Sequence, residues 1–296
     1  MIYEPASSER QPVSPPNARP RNVLITGGSG GIGRAVVGRF ARTGDRVWFT
    51  YRLGRDRAKA LVSELSAGGR RPPVAFELDQ GDWASHRRLL AALPGPVDVL
   101  VNNAAVGTRT VERYASGGHR QDEKFFQVNS VGPLWLIRQV LPTMLDRGYG
   151  KIINIASVNG GIAMFPAFRV ADGMSKAALA YLTRHVAAET AHAPVEVFAV
   201  CPGAVETDML SASTLSALTS ERRRALEARL PMSRLLRPEE IADLVWWLCG
   251  DDARVLHGAV LDASMGLGAH PGLLTGHRYD DAAEHDAMND ATNRVD

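Results

Sequence analysis

The chain has 296 residues, 45% of them hydrophobic and 22% charged, which suits one large α/β domain and is ordinary for a globular protein. A net charge of +2 gives no electrostatic reason for nucleic acid or an anionic membrane as partner. No apolar run approaches the roughly 18 residues of a membrane span. The two cysteines, Cys201 and Cys249, lack a metal-ligand or CxxC spacing, so the expected setting is the reducing cytoplasm.

Residues 1–20 are rich in Pro and Ser with no apolar stretch, which predicts a disordered tail rather than a secretory signal. Val23, Leu24 and Ile25 then enter a glycine-rich turn, as a buried parallel strand does. Further strands are expected at Arg46–Thr50, Val74–Glu77, Val97–Val101, Lys151–Ile155, Glu196–Cys201 and Ala259–Asp262. Helical patterns lie between them at Ile32–Thr43, Asp56–Ala67, Trp83–Ala92, Asp122–Arg147, Ser175–Ala191 and Pro238–Cys249. This alternation predicts a single Rossmann-type, doubly wound parallel sheet with helices on both faces over residues 21–268. The stretch 210–237 is helical in character but follows no strand, and is expected to form a small lid. Residues 269–296 carry acids and few large apolar side chains, the pattern of a loose C-terminal tail.

Thr26-Gly27-Gly28-Ser29-Gly30-Gly31-Ile32-Gly33 follows the first strand and opens the first helix. Glycines there allow a tight turn and bring backbone against a pyrophosphate, whose charge rests on the helix N-terminus. The second strand ends Tyr51-Arg52, with no acid until Asp56. An acid at that position would bind a ribose hydroxyl and repel a 2′-phosphate, whereas arginine holds phosphate through parallel charge-assisted bonds. NADP(H) is therefore expected over NAD(H).

These motifs resemble those of the short-chain dehydrogenase/reductase family, over about residues 21–268. TGGSGGIG is similar to that family's TGxxxGxG turn. Asp79, followed by Gln80, matches the aspartate that meets the adenine amino group. Asn102-Asn103-Ala104-Ala105 resembles the NNAG turn after the fourth strand. Asn129 matches the helix asparagine of the proton relay, and Ser157 the serine that orients the substrate oxygen. Pro202-Gly203-Ala204-Val205-Glu206-Thr207 resembles the PGxxxT segment that wraps the nicotinamide. The resemblance implies cofactor contacts from Gly27, Ser29, Gly30, Gly31, Ile32, Gly33, Tyr51, Arg52, Asp79, Gln80, Asn103, Ala104, Ala105, Lys176, Pro202, Gly203, Val205 and Thr207.

One position departs. The family keeps Tyr-x-x-x-Lys, and this chain reads Asp172-Gly173-Met174-Ser175-Lys176, with no tyrosine between Tyr149 and Tyr181. The resemblance thus leaves Asn129, Ser157, Asp172 and Lys176 as the catalytic set. A carboxyl of ordinary acidity needs about 4 kcal/mol to be half protonated at pH 7, and a neighbouring ammonium opposes protonation. Asp172 is therefore expected to be ionised. A carboxylate about 4 Å from a developing alkoxide is repelled by roughly 4 kcal/mol at intermediate dielectric, and it attracts a cation as strongly. That favours an imine or iminium acceptor, while family habit favours a carbonyl. A plain structural role, capping the helix or pairing with Lys176 or Arg169, is the competing account.

Three functions stay open: an NADP(H)-dependent oxidoreductase acting on C=N or C=O of a small, biosynthetic substrate; a non-redox isomerase, dehydratase or cyclase on the same scaffold; or a catalytically silent NADP(H)-binding protein. No metal is invoked, since His119, His185, His192 and His257 are scattered. Arg222, Arg223 and Arg224 form one solvated face. Met209, Leu210 and Met232 suggest an apolar part of the substrate pocket. The resemblance implies a homodimer or homotetramer built through the helices at Asp122–Arg147 and Ser175–Ala191.

Overall fold

The structure is a computed structural model, and it describes residues 19–67, 71–165 and 168–270. The expected N-terminal tail, apart from residues 19 and 20, and the C-terminal tail from residue 271 lie outside the described residues. Seven strands, β1 (Asn22–Ile25), β2 (Arg46–Tyr51), β3 (Val74–Glu77), β4 (Val99–Asn102), β5 (Gly150–Ile155), β6 (Val195–Pro202) and β7 (Val260–Ala263), form one sheet in the order β3-β2-β1-β4-β5-β6-β7. Every pairing is parallel, so each connection must cross over, and helices do it.

In chain order these are α1 (Gly31–Arg42), α2 (Arg55–Ser66), α3 (Trp83–Ala92), α4 (Thr108–Tyr114), α5 (Gly118–Phe126), α6 (Gly132–Asp146), α7 (Val158–Gly161, one irregular turn), α8 (Val170–Glu189), α9 (Asp208–Ser213), α10 (Ser220–Arg229) and α11 (Pro238–Leu248). Strand side chains alternate between two cores. Val23, Ile25, Val99, Val101, Ile153 and Phe198 pack with α1 and α11 residues such as Phe40 and Val245. Leu24, Leu100, Ile152 and Val197 pack on the opposite face with Leu136, Ile137 and Val186 of α6 and α8. Burial on both faces explains why the strands read as continuous apolar runs.

The helix expected over Asp122–Arg147 is present, and it contains a π-helical turn, Gln127–Val131, where α5 runs into α6. The helix expected from Ser175 begins five residues earlier, at Val170, which places Asp172 inside its first turn. The lid comprises α9, α10 and two short 3-10 turns, and covers a small cluster of Val158, Phe165, Leu215, Leu230 and Leu235. Met232, expected to line a pocket, is 77% exposed, because Leu230 and Leu235 take the inward positions of that turn.

Candidate active site and dinucleotide cleft

The strand order reverses between β1 and β4, and in open α/β sheets a crevice opens beyond the strand C-termini at such a switch point. The glycine turn leaves β1 there and Asn102–Ala105 leaves β4. Thr26 Oγ1 accepts hydrogen bonds from the backbone N–H groups of Asn103 (3.0 Å) and Ala104 (2.9 Å). Asn103 Nδ2 in turn donates to the carbonyls of Thr26 (2.9 Å) and Gly27 (3.1 Å). The two turns are thus one rigid unit, and Thr26 is a contributor that motif matching passed over. Gly27 has φ +67°, and a Cβ on Gly33 would lie 2.3 Å from the Gly27 carbonyl oxygen. Only glycine serves at both places.

Helix α1 has Gly30 as N-cap with no side chain capping it, and a Cβ at Gly30 would meet nothing within 4 Å. Uncapped amides facing open space fit an anionic group. Ile32 packs its side chain into the core behind. On the far side, Thr207 caps α9 by accepting from Leu210 N (3.3 Å), and its methyl lies 3.1 Å from the Cβ position of Gly31. Val205 is buried beside it, bridged to Leu236, and Gly203, after Pro202, packs against Ser264. These segments flank the expected nicotinamide end.

At the adenosine end the side chains hold one another. Arg52 Nε pairs with Asp79 Oδ2 at 3.0 Å, and its guanidinium stacks 3.9 Å from the centre of the Tyr114 ring. Asp79 Oδ1 accepts from Gly81 N at 2.9 Å. Tyr51 is half-buried at the end of β2. Gln80 turns inward: its carbonyl meets His86 Nε2 at 2.9 Å, and its buried side chain packs against Gly132. Its side-chain Nε2 and Oε1 are buried with no hydrogen-bond partner among the described residues.

The reacting end is built on β5 and α8. Lys176, on the second turn of α8, is buried and donates to the Ile155 carbonyl at 3.0 Å, so it sits at the C-terminal end of β5. Ser157 follows two residues on and accepts from Asn159 N at 3.1 Å. The turn after it presses on the first turn of α8: Gly160, at φ +88°, has no room for a Cβ, which would fall 2.1 Å from the Gly173 carbonyl oxygen. The Ser157 turn and the Asp172 turn are therefore locked together.

Asn129 lies on the π-helical turn and is buried. Its Oδ1 accepts from Val106 N (2.8 Å), while Nδ2 donates to Val106 O (3.2 Å) and to Ser175 Oγ (3.1 Å). Ser175 Oγ donates to the Asp172 carbonyl at 2.7 Å. Ser175, which the motif comparison treated only as a spacer, is the link between Asn129 and the Asp172 backbone.

Asp172 is half-buried, one helical turn before Lys176. Among the described residues its carboxylate takes no hydrogen bond and no ion pair within 4.0 Å. The competing structural account fails at both points it named. Arg169, not Asp172, is the N-cap residue of α8. Arg169 is itself committed to Asp122 (2.8 Å), Gln121 Oε1 (2.7 Å) and the face of Phe125. Burial pushes the Asp172 carboxyl above its ordinary range, and the Lys176 ammonium only partly opposes this. Burial pushes Lys176 down, against the pull of Asp172. Desolvation outweighs the pair attraction because the two groups are buried without touching. Cys201, at the end of β6, is no nucleophile: burial pushes its thiol up to about 11.

A family model described as enoyl-(acyl carrier protein) reductase matches residues 27–268. The chain is 33% identical over 256 residues to an acetoacetyl-CoA reductase of Cupriavidus necator, covering 85% of this chain and 99% of the other. Nodulation protein G of Azospirillum brasilense is 34% identical over 247 residues, covering 82% and 96%. Among solved structures, that of a variant actinorhodin polyketide ketoreductase with NADPH superposes with a TM-score of 0.75 at 30% identity, over 84% of this chain and 97% of that one.

Proposed function

Because the chain belongs to the short-chain dehydrogenase/reductase family, we propose that it is an NADP(H)-dependent oxidoreductase acting on a C=O or C=N group of a small, biosynthetic substrate, with Asp172 in the place of the family's tyrosine. The nicotinamide supplies or receives the hydride. The observation that carries the reading is the Asp172 carboxyl itself, half-buried, unpartnered among the described residues and one turn before Lys176.

Carbonyl reduction is the first form of the reading. Burial moves Asp172 toward its protonated state, in which it donates a proton to an oxygen gaining charge. Ser157 orients that oxygen, and Lys176 provides the neighbouring positive charge. The acetoacetyl-CoA reductase and ketoreductase among the relatives favour the same substrate class by their names. Imine or iminium reduction is the second form: an ionised Asp172 stabilises the cation, and no proton need be supplied. The NADP(H) preference draws on Arg52, Arg55 and Arg57 around the end of β2, where no acid stands before Asp56.

The test is nicotinamide turnover across panels of 3-oxoacyl thioesters, ketones and cyclic imines. NADPH oxidation with a member of either set is expected. Substrate consumption without NADPH oxidation would transfer the protein to non-redox chemistry, and inertness to every panel would make it a silent binder. Arg52→Asp is expected to reverse the cofactor preference by placing a carboxylate beside the ribose; unchanged NADPH affinity would refute the cofactor assignment.

A further inference from the structure

The first turn of α8 fixes the backbone of Asp172 and leaves its side chain unspent. The Asp172 N–H donates to the Arg169 carbonyl at 3.1 Å, and the Asp172 carbonyl accepts from Ser175 Oγ at 2.7 Å. Ser175 is held in turn by Asn129. Across the contact between Gly160 and Gly173 lies the Ser157 turn. Ser157 Oγ accepts from Asn159 N and, among the described residues, donates to nothing, so its proton is available to an acceptor. The Asp172 and Ser157 side chains are both half-buried, which leaves them within reach of water and of a small substrate.

A neutral donor and a carboxyl on adjoining, rigid turns suit a reaction besides hydride transfer. In a bound ketone the α-carbon lies two bonds from the carbonyl oxygen. With that oxygen on the Ser157 hydroxyl, a carboxylate on the next turn meets the hydrogens of the α-carbon. Burial raises the Asp172 carboxyl above its ordinary range, so its ionised form is a stronger base than an exposed carboxylate. The Lys176 ammonium adds positive charge that favours an enolate over a ketone.

We propose that Asp172 and Ser157 also catalyse enolisation, exchanging the α-hydrogens of a ketone with solvent. A carboxylate oxygen of Asp172 takes the α-hydrogen as a proton, and the C–H electron pair becomes the C=C bond of an enolate. The carbonyl π pair moves to the oxygen, where the Ser157 O–H donates to it. The carboxyl then trades its proton with water and returns one to the carbon, so nothing is oxidised or reduced. Placement of the ketone oxygen on Ser157 rests on the oxidoreductase reading above. One carboxyl thus serves in opposite protonation states, as acid in reduction and as base in exchange.

The test is proton NMR of cyclohexanone and acetophenone in deuterium oxide, with the full chain and saturating NADP⁺, which has no hydride to give. Loss of the α-hydrogen signals well above the protein-free rate is expected. Asp172→Asn and Asp172→Tyr are each expected to slow it about 100-fold or more, and Ser157→Ala about 100-fold, with NADP⁺ affinity and melting temperature as the check on folding. In the wild type the rate is expected to rise with pH through the Asp172 titration and level off, because it follows the ionised fraction. Among the described residues Lys176 is the charge that acts on this carboxyl. Cys201 keeps its proton, its thiol pushed up to about 11, and Arg169 is paired with Asp122. Exchange no faster than without protein, exchange that survives Asp172→Asn, or a rate that falls with pH overturns the proposal. NADPH oxidation by ketones with no exchange overturns it and leaves the oxidoreductase reading standing; exchange without NADPH oxidation by any substrate does the reverse.

Discussion

At Asp172 two influences oppose each other: burial resists the negative charge, and the Lys176 ammonium supports it, with burial the larger. A carboxyl whose folded-state acidity is weakened makes the fold lose stability as pH rises from its ordinary range through the raised value. Asp172→Asn removes that loss. The variant is expected to melt about 2 °C higher than wild type at pH 8 and equally at pH 4, where both side chains are neutral. Its turnover is expected to fall about 100-fold. The pH–rate profile of the wild type separates the two chemistries. A carbonyl reductase that uses the protonated carboxyl slows as pH rises through the Asp172 titration; an iminium reductase that uses the carboxylate accelerates through it.

Among the elements, the π-helical turn between α5 and α6 has the greatest functional consequence. The π-helical turn rotates Asn129 so that its amide reaches both Val106 and Ser175, and such turns recur at functional sites. Next to it, Gly132, the first residue of α6, packs directly against the turn after β3. A Cβ there would lie 2.5 Å from the Gln80 carbonyl oxygen and 2.7 Å from its Cγ. Gly132→Ala must push α6 away from the sheet. A loss of about 2 kcal/mol is expected, read as a lower denaturant midpoint, together with reduced kcat because Asn129 moves with the turn. At the other end of the lid, Glu240 accepts from Arg234 Nη1 (2.8 Å) and Nη2 (2.7 Å) and from Arg237 N (2.8 Å), and these donors hold its carboxyl down to about 2. Glu240→Gln is expected to destabilise the start of α11 by about 1 kcal/mol, a difference that shrinks as pH falls toward that value and the wild-type carboxylate protonates.

For the whole molecule, the outer face of α8 is the feature that a single chain leaves unexplained. Val170 (74% exposed), Met174 (53%) and Tyr181 (69%) stand on it at near-helical spacing, an apolar stripe of the kind that marks an interface. A homodimer or homotetramer is expected through α6 and α8, measured by light scattering on the eluting protein. Tyr181→Glu should shift the population to a smaller species while the monomer fold persists. A monomeric wild type would remove this expectation.

The linear order of residues determined the strand–helix alternation, the glycine turn after β1, the Asn102–Ala105 turn and the Asp172–Lys176 spacing. Each of these is local: continuous apolar runs, a positive φ at Gly27 and a four-residue helical turn are written within a few positions of one another. The tertiary structure alone decided which polar groups are spent and which remain free. Arg52 went to Asp79 and Tyr114, Arg169 to Asp122, and Gln80 into the core against Gly132. Distance along the chain hides such partners, and no local pattern marks the π-helical turn that their packing requires. Asp172 shows the same division in one residue, since its position could be read from the motif, but its titration depends on how much water the assembled fold leaves around it.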